Sequence, residues 1–358
     1  MLSPLAFSVS YLTTAITVLV VQQGGWWMFF PVLQVFAIIP LIDEIVGPWQ
    51  GNPDPATEAR ITRSRPYRLL VWAWVPVQTA LLVWSLGLVA SGALAPHEII
   101  GLTLAIGIST GTVGITFAHE LMHRPGRFDR MLAELLMGSV LYAHFCIEHV
   151  HGHHRNVATR DDPATARLGE SFYRFLPRTI VRGAQSAWRL ERERRRRRGI
   201  PFWSLRNRML RYGLLQTTFL VVVLAVFGPA GLLFFVAQAL VAVTELEIIN
   251  YLEHYGLARR IGGDGRPERV RPWHSWNSSH LVSNLFLINL ARHSDHHFAA
   301  GRPYQLLRHW PDAPQLPGGY GAMFLAAMVP PLWFRIMNPR VAAWRARDLA
   351  GGEVPVAG

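Results

Sequence analysis

Four histidine clusters carry the chemistry of this sequence. They are His119-Glu-Leu-Met-His123, Glu148-His149-Val-His-Gly-His153-His154, the single His254 within Asn250-Tyr-Leu-Glu-His254-Tyr-Gly-Leu257, and Arg292-His293-Ser-Asp-His296-His297. Neutral imidazole is the commonest metal ligand because it offers a lone pair without adding charge. Nine imidazoles exceed what one ion takes and suit two. On a helix, residues i and i+4 share a face, so His119 is expected beside His123, and His149 beside His153. His154 follows at once and can serve a second ion or a second position on the same one. His293 repeats the device with His296 or His297.

An all-nitrogen donor set is compatible with zinc, copper, iron and nickel. Structural zinc favours four closed ligands, often with cysteine, and zinc has no redox chemistry. A pair of imidazole-held irons with open positions suits oxygen activation. His119-Glu-Leu-Met-His123 also fits the H-E-x-x-H pattern of zinc proteases, with Glu120 as general base. That reading leaves seven clustered histidines without a role. A metal transporter is a further alternative, but transport histidines should line the spans, and here they gather at one end. The acids beside the clusters, Glu120, Glu148, Glu253 and Asp295, are expected to accept the second ring N–H of the ligands and fix their tautomer. The other histidines, His97, His144, His151, His274, His280 and His309, read as structural. His151 is two residues from His149 and should point elsewhere.

The elements that must hold these clusters are membrane helices. The chain is 51% hydrophobic and only 16% charged, against roughly 25% charged in a soluble domain, and its mean hydropathy is +0.20. A span needs about 20 apolar residues. Six such stretches run near 5–22, 26–47, 67–92, 97–119, 212–228 and 230–250, the last two separated by Gly228-Pro229-Ala-Gly231. The expected fold is an all-α membrane protein of six transmembrane helices under a cytoplasmic, histidine-rich cap. It is one domain over 1–358, with polar blocks at 120–211 and 251–358. The N-terminal stretch lacks a basic leader and reads as a retained first helix.

Basic residues alternate with the spans. Gln22 to Gly25 and Ser91 to Pro96 carry none, whereas 48–68 holds Arg60, Arg63, Arg65 and Arg68. The block 120–211 holds Arg192, Arg194, Arg195, Arg196, Arg197 and Arg198. The positive-inside rule then places both termini and both blocks in the cytoplasm. The net charge of +12 is explained by these loops, and no nucleic-acid partner is expected. One cysteine, Cys146, excludes a disulfide framework or an iron–sulfur cluster built within the chain.

These boxes resemble those of the bacterial integral-membrane alkane 1-monooxygenases, relatives of the membrane fatty-acid desaturases and xylene monooxygenase. Asp161-Asp-Pro-Ala-Thr-Ala-Arg-Leu-Gly-Glu170, Leu176-Pro-Arg-Thr179 and Ser186-Ala-Trp-Arg-Leu-Glu191 extend the likeness. Asn250 to Leu257 separates this group from the desaturases. The resemblance implies a non-haem diiron site, with ligands His119, His123, His149, His153, His154, His254, His293, His296 and His297. It implies O2-dependent hydroxylation of a terminal methyl to a primary alcohol, in the bacterial inner membrane, with lipid around the spans. Arg124 and Ala291 depart from the family's usual lysine and glutamine, which leaves aryl-methyl and terpenoid substrates open.

The resemblance also implies rubredoxin as electron donor, with its reductase and NAD(P)H upstream. The sequence agrees: it has no Gly-x-Gly-x-x-Gly fingerprint, and one cysteine cannot make a fused rubredoxin. Rubredoxins are typically acidic, so Arg192 and Arg194 to Arg198 are the candidate docking patch. Phe36, on the apolar face of the second span, is the candidate wall of a substrate channel.

Overall fold

The computed structural model describes residues 2–62 and 64–349. Arg63 and the segment 350–358 lie outside the described residues. Among those described, helices dominate, and β structure is limited to isolated bridges such as Pro48 with His280.

Among the described residues, five helices are long and apolar enough to cross a membrane: Pro4–Gln23, Gly25–Val46, Arg65–Ala90, Pro96–Met122 and Arg208–His254. The first four are spans 1 to 4. The last has 47 residues and breaks at Gly228, where φ is 69° and ψ is −173°. A left-handed φ of this kind favours glycine, which has no Cβ to clash. The chain reverses there. The ring centroids of Phe219 and Phe235 stand 6.4 Å apart, whereas a straight helix would part residues 16 positions apart by about 24 Å. The helix is therefore a hairpin of span 5, before Gly228, and span 6, after it. Span 1 turns into span 2 through the same device at Gly24, whose φ is 67°.

The helix ends show why the breaks fall where they do. Asn207 caps span 5 by accepting a hydrogen bond from Met209 N. Pro96 opens span 4, and Glu98 reaches back to accept from Ala95 N at 2.8 Å. Such caps satisfy amides that have no partner inside the helix. Span 4 packs against span 6 through Gly107 and Gly111. A Cβ on Gly107 would strike Val241, and one on Gly111 would strike Glu245. Small residues four apart let two membrane helices approach this closely. Away from these contacts the spans expose Leu224, Val226, Leu233 and Leu240, an apolar surface suited to lipid.

The cap is built from Phe172–Arg197, from the short helices around residues 145–156, and from the chain beyond His254. Two features were not expected from the sequence. Tyr320–Ala327 and Pro330–Arg347 form a pair bent by 118° and apolar enough to count as a further membrane-entering element. Arg292 is buried, lies over the Trp49 ring, and donates to the carbonyls of Trp49, Gly51 and Leu307. It ties the loop after span 2 to the helix that carries His293.

Candidate metal centre

The nine clustered histidines meet at the ends of spans 4 and 6 as two groups. His119, His123, His149, His154 and His296 form one, and His153, His254, His293 and His297 form the other. Within each, one ring nitrogen per residue lies within 4.8 Å of all the rest. None of His97, His144, His151, His274, His280 or His309 joins either group. His151 reaches Arg208 at 3.2 Å, and His309 contacts Ser279 Oγ at 2.7 Å.

Local backbone decides which histidine goes where. His119 and His123 share the last turn of span 4, as i and i+4 predict. The second box departs from that rule. His149–His153 is a π-helical turn, whose wider winding aligns i with i+5. His149 therefore meets His154, Nε2 to Nε2 at 3.0 Å. His153 faces the other group and meets His297 at 3.1 Å. The expected pairing of His149 with His153 is thus replaced. In the last box the helix His293–Phe298 is α-helical. His293 meets His297 at 2.9 Å, and His296 turns to His154 at 3.0 Å.

Neighbouring Nε2 atoms in the two groups stand 2.9–3.2 Å apart. Two nitrogens bound at about 2.1 Å to one ion and 90° apart are separated by about 3.0 Å, against about 3.4 Å at a tetrahedral angle. The donor set fits ions with right-angled edges better than closed tetrahedral zinc. The protonation state fits too. Burial, and then the adjacent imidazoles, hold His149, His154, His296 and His297 well below the usual imidazole range, and burial takes His123 down to about 3. Neutral rings are the form that binds metal. His153 is the exception. Burial lowers it, but the Asp162 carboxylate and its hydrogen bond carry it above its ordinary value.

The flanking acids are placed unevenly. Glu253 lies 3.1 Å from His293 Nε2 and accepts from Tyr320 Oη at 2.7 Å. It faces the converging nitrogens and not the far side of the ring. Glu120 pairs with Arg124. Asp295 is held by Arg302, Trp310 Nε1 and Arg308 N. Glu148 is buried with no partner on Oε1, and burial, with Asp162 nearby, pushes it up to about 8. The acid that does take a ring N–H is Asp162. It accepts from His153 Nδ1 at 2.9 Å and is itself fixed by Thr165 Oγ1 at 2.6 Å and Ala164 N at 3.1 Å. Sequence reasoning missed it because it lies nine residues from its histidine, in a loop. The signal was the Asp-Pro-Ala-Thr turn, with two side-chain acceptors that order its own backbone.

An apolar cavity opens against both groups. His119 and His149 of the first and His293 of the second line it, with Phe145, Ile249 and Leu290. Phe36 lies on its wall beside Phe324, ring centroids 4.7 Å apart. Trp26 and Trp27 are exposed at the start of span 2. Of the arginine run, Arg192, Arg196, Arg197 and Arg198 are exposed. Arg194 is committed to Glu191 and the Arg206 carbonyl, and Arg195 lies over the Phe202 ring.

Comparison with known proteins places this arrangement. The fatty acid desaturase family matches residues 95–327. Alkane 1-monooxygenase 1 of Pseudomonas aeruginosa is 45% identical over 90% of this chain and 85% of its own length. The alkane 1-monooxygenase of Acinetobacter baylyi is 39% identical, over 90% of this chain and 81% of its own. The xylene/toluene monooxygenase hydroxylase component of Pseudomonas putida is 29% identical over 72% of this chain and 69% of its own.

Proposed function

Because the chain belongs to the alkane 1-monooxygenase family, within the wider fatty acid desaturase family, we propose that it hydroxylates the terminal methyl of alkanes or similar apolar molecules at two non-haem irons. The carrying observation is that one apolar cavity reaches histidines of both groups. The reaction balances as R–CH3 + O2 + two electrons + two protons giving R–CH2OH + H2O. The five-histidine and four-histidine groups would each hold one iron, and the irons supply O2 activation and oxidising power when bound.

The rest is done by the protein. Ile249, Leu290 and Phe286 give the wall near the histidines an apolar surface that excludes water. Spans 4 and 6 run in the same direction toward that end and line the cavity together with span 2 and Tyr320–Ala327, so an elongated substrate in it brings one terminus to the histidines. Helix-borne ligands keep the rings in place with little further loss of entropy. The electrons come from outside, from rubredoxin with its reductase and NAD(P)H upstream. By the basic-loop alternation the cap faces the cytoplasm of the bacterial inner membrane, where such a carrier is found.

The decisive experiment purifies the protein from iron-replete cells, counts metal, and supplies rubredoxin, its reductase and NADH with octane, hexadecane and xylene under 18O2. About two irons per chain and 18O-labelled 1-octanol are the expected results. Stoichiometric zinc with no alcohol overturns the reading. A methylbenzyl alcohol as sole product would favour the aryl-methyl alternative suggested by the xylene/toluene relative.

Two further results are expected. Phe36→Ala removes one of two adjoining rings on the cavity wall, Phe36 and Phe324. It should raise hexadecane relative to octane products by about tenfold, the scale on which pocket volume discriminates chain length. An unchanged chain-length profile removes Phe36 from the channel. The second concerns docking. Changing Arg192, Arg196 and Arg198 to glutamine should raise the rubredoxin concentration needed for half-maximal turnover several-fold, without changing turnover at saturation. The wild-type rate should fall with added salt, which screens surface charge beyond about 8–10 Å. An unchanged rubredoxin dependence leaves these arginines to bind lipid headgroups, a role also suited to exposed Trp203 and Leu205 in the neighbouring loop.

A further inference from the structure

A carboxyl sits where an alkane channel has no evident use for one. Glu245, on span 6, lines the same cavity as the histidines and is 7% exposed. Its Oε2 accepts from Thr112 Oγ1 of span 4 at 3.1 Å, and its Oε1 has no partner. Gly111 leaves the notch that this carboxyl fills, since a Cβ there would collide with Oε2. Ionisable side chains inside a membrane are costly and persist where they are paired or used. Burying a carboxyl oxygen without a partner adds to that cost.

Its depth suggests the use. Thr112 lies seven residues before His119, and Glu245 eight before Glu253. At about 1.5 Å per residue the pair stands roughly 10–12 Å from the metal end. A saturated chain, with C–C bonds of about 1.5 Å, advances about 1.3 Å per carbon. A molecule with its methyl at the histidines therefore presents its eighth to tenth carbon to Glu245. Between the two levels the wall is mostly apolar, with Ile115, Leu246, Ile249 and Phe286.

We propose that Glu245 and Thr112 form a second recognition point, which takes a hydroxyl at the far end of a chain about ten carbons long. Resting on the hydroxylase reading, this makes medium-chain primary alcohols a substrate class alongside alkanes. The substrate hydroxyl donates to Glu245 Oε1, and Thr112 holds Oε2. The reaction is HO–R–CH3 + O2 + two electrons + two protons giving HO–R–CH2OH + H2O, with O2 and the electron donor as above. Glu245 is a specificity-determining residue, remote from the bond that is oxidised.

The test is an equimolar mixture of nonane and 1-decanol at low conversion, in which the ratio of 1,10-decanediol to nine-carbon products is read. Glu245→Leu should lower that ratio about five- to tenfold, the worth of one hydrogen bond to a buried group. Glu245→Gln, which keeps an acceptor, should hold it within about twofold. With the wild type alone, diol formation from 1-octanol to 1-dodecanol should peak near ten carbons, which tests the idea even if the leucine variant does not assemble. An unchanged ratio in Glu245→Leu, or a flat profile in the wild type, overturns the recognition point. Oxidation of nonane without any diol does so while leaving the hydroxylase reading in place. Oxidation of neither substrate overturns both.

Discussion

Replacing His149 by alanine will abolish methyl hydroxylation and take the iron content from about two to about one per chain. His149 belongs to the five-histidine group, where it meets His123 and His154 at 3.1 and 3.0 Å. It also lines the cavity. Its loss removes a ligand that bridges two neighbours in the ring of nitrogens, while His153, His254, His293 and His297 keep their mutual contacts. His297→Ala should mirror it, removing the iron of the other group. Elemental analysis beside turnover decides the matter. His309→Ala is the comparison, because His309 hydrogen-bonds Ser279 and Asn52 and belongs to neither histidine group, and it should keep both irons. Loss of both irons from the His149 variant would mean that the groups do not fill independently. Equal loss from His309→Ala would mean that the ligand set is misassigned.

Asp162→Ala should weaken the four-histidine group's hold on metal by about 10- to 100-fold. Asp162 is fully buried and takes the Nδ1–H of His153, which leaves Nε2 as the lone pair facing His297. Without the carboxylate the ring loses both its fixed orientation and the partner that makes it a stronger donor. Equilibrium titration with an iron-competing chelator, followed separately for the variant and wild type, measures the effect. Asp161→Ala is the matched control, since that neighbour is exposed. An Asp162→Ala protein with wild-type metal affinity would show that His153 is held by packing alone.

Much of this site is legible without coordinates. Nine imidazoles in four boxes, two at the ends of apolar runs and two in the polar blocks that follow them, point to a two-metal cap, because histidines this close to a membrane are costly unless they share a task. The six apolar stretches and the Gly228-Pro229 turn are equally readable, since span length follows from bilayer thickness and a glycine with φ of 69° follows from sterics. The tail is less readable. Tyr320–Ala327 is only eight residues long, and Pro330–Arg347 carries Arg335, Pro339, Arg340, Arg345 and Arg347, so neither reads as a 20-residue apolar span, and their bend of 118° is a product of packing.

The assignment of individual histidines is a different kind of fact. Spacing names which residues can share a face, but the number of residues per turn is settled by the surrounding fold. At His149–His153 the helix is wound as π, so a rule of i+4 gives way to one of i+5, and His149 and His153 part to different groups. The same holds for the acids. A carboxylate beside a histidine in sequence projects about 100° away from it on a helix, which is why Glu120 and Asp295 reach arginines, while Asp162 arrives from a loop. Residue types and their spacing by themselves pointed to a histidine-rich metal site at the end of a membrane bundle. Only the tertiary structure decided which histidines gather in one group, which carboxylate holds His153, and that Glu245 lies on the cavity wall ten ångströms or so from the histidines, because those depend on directions in space that a linear pattern does not carry.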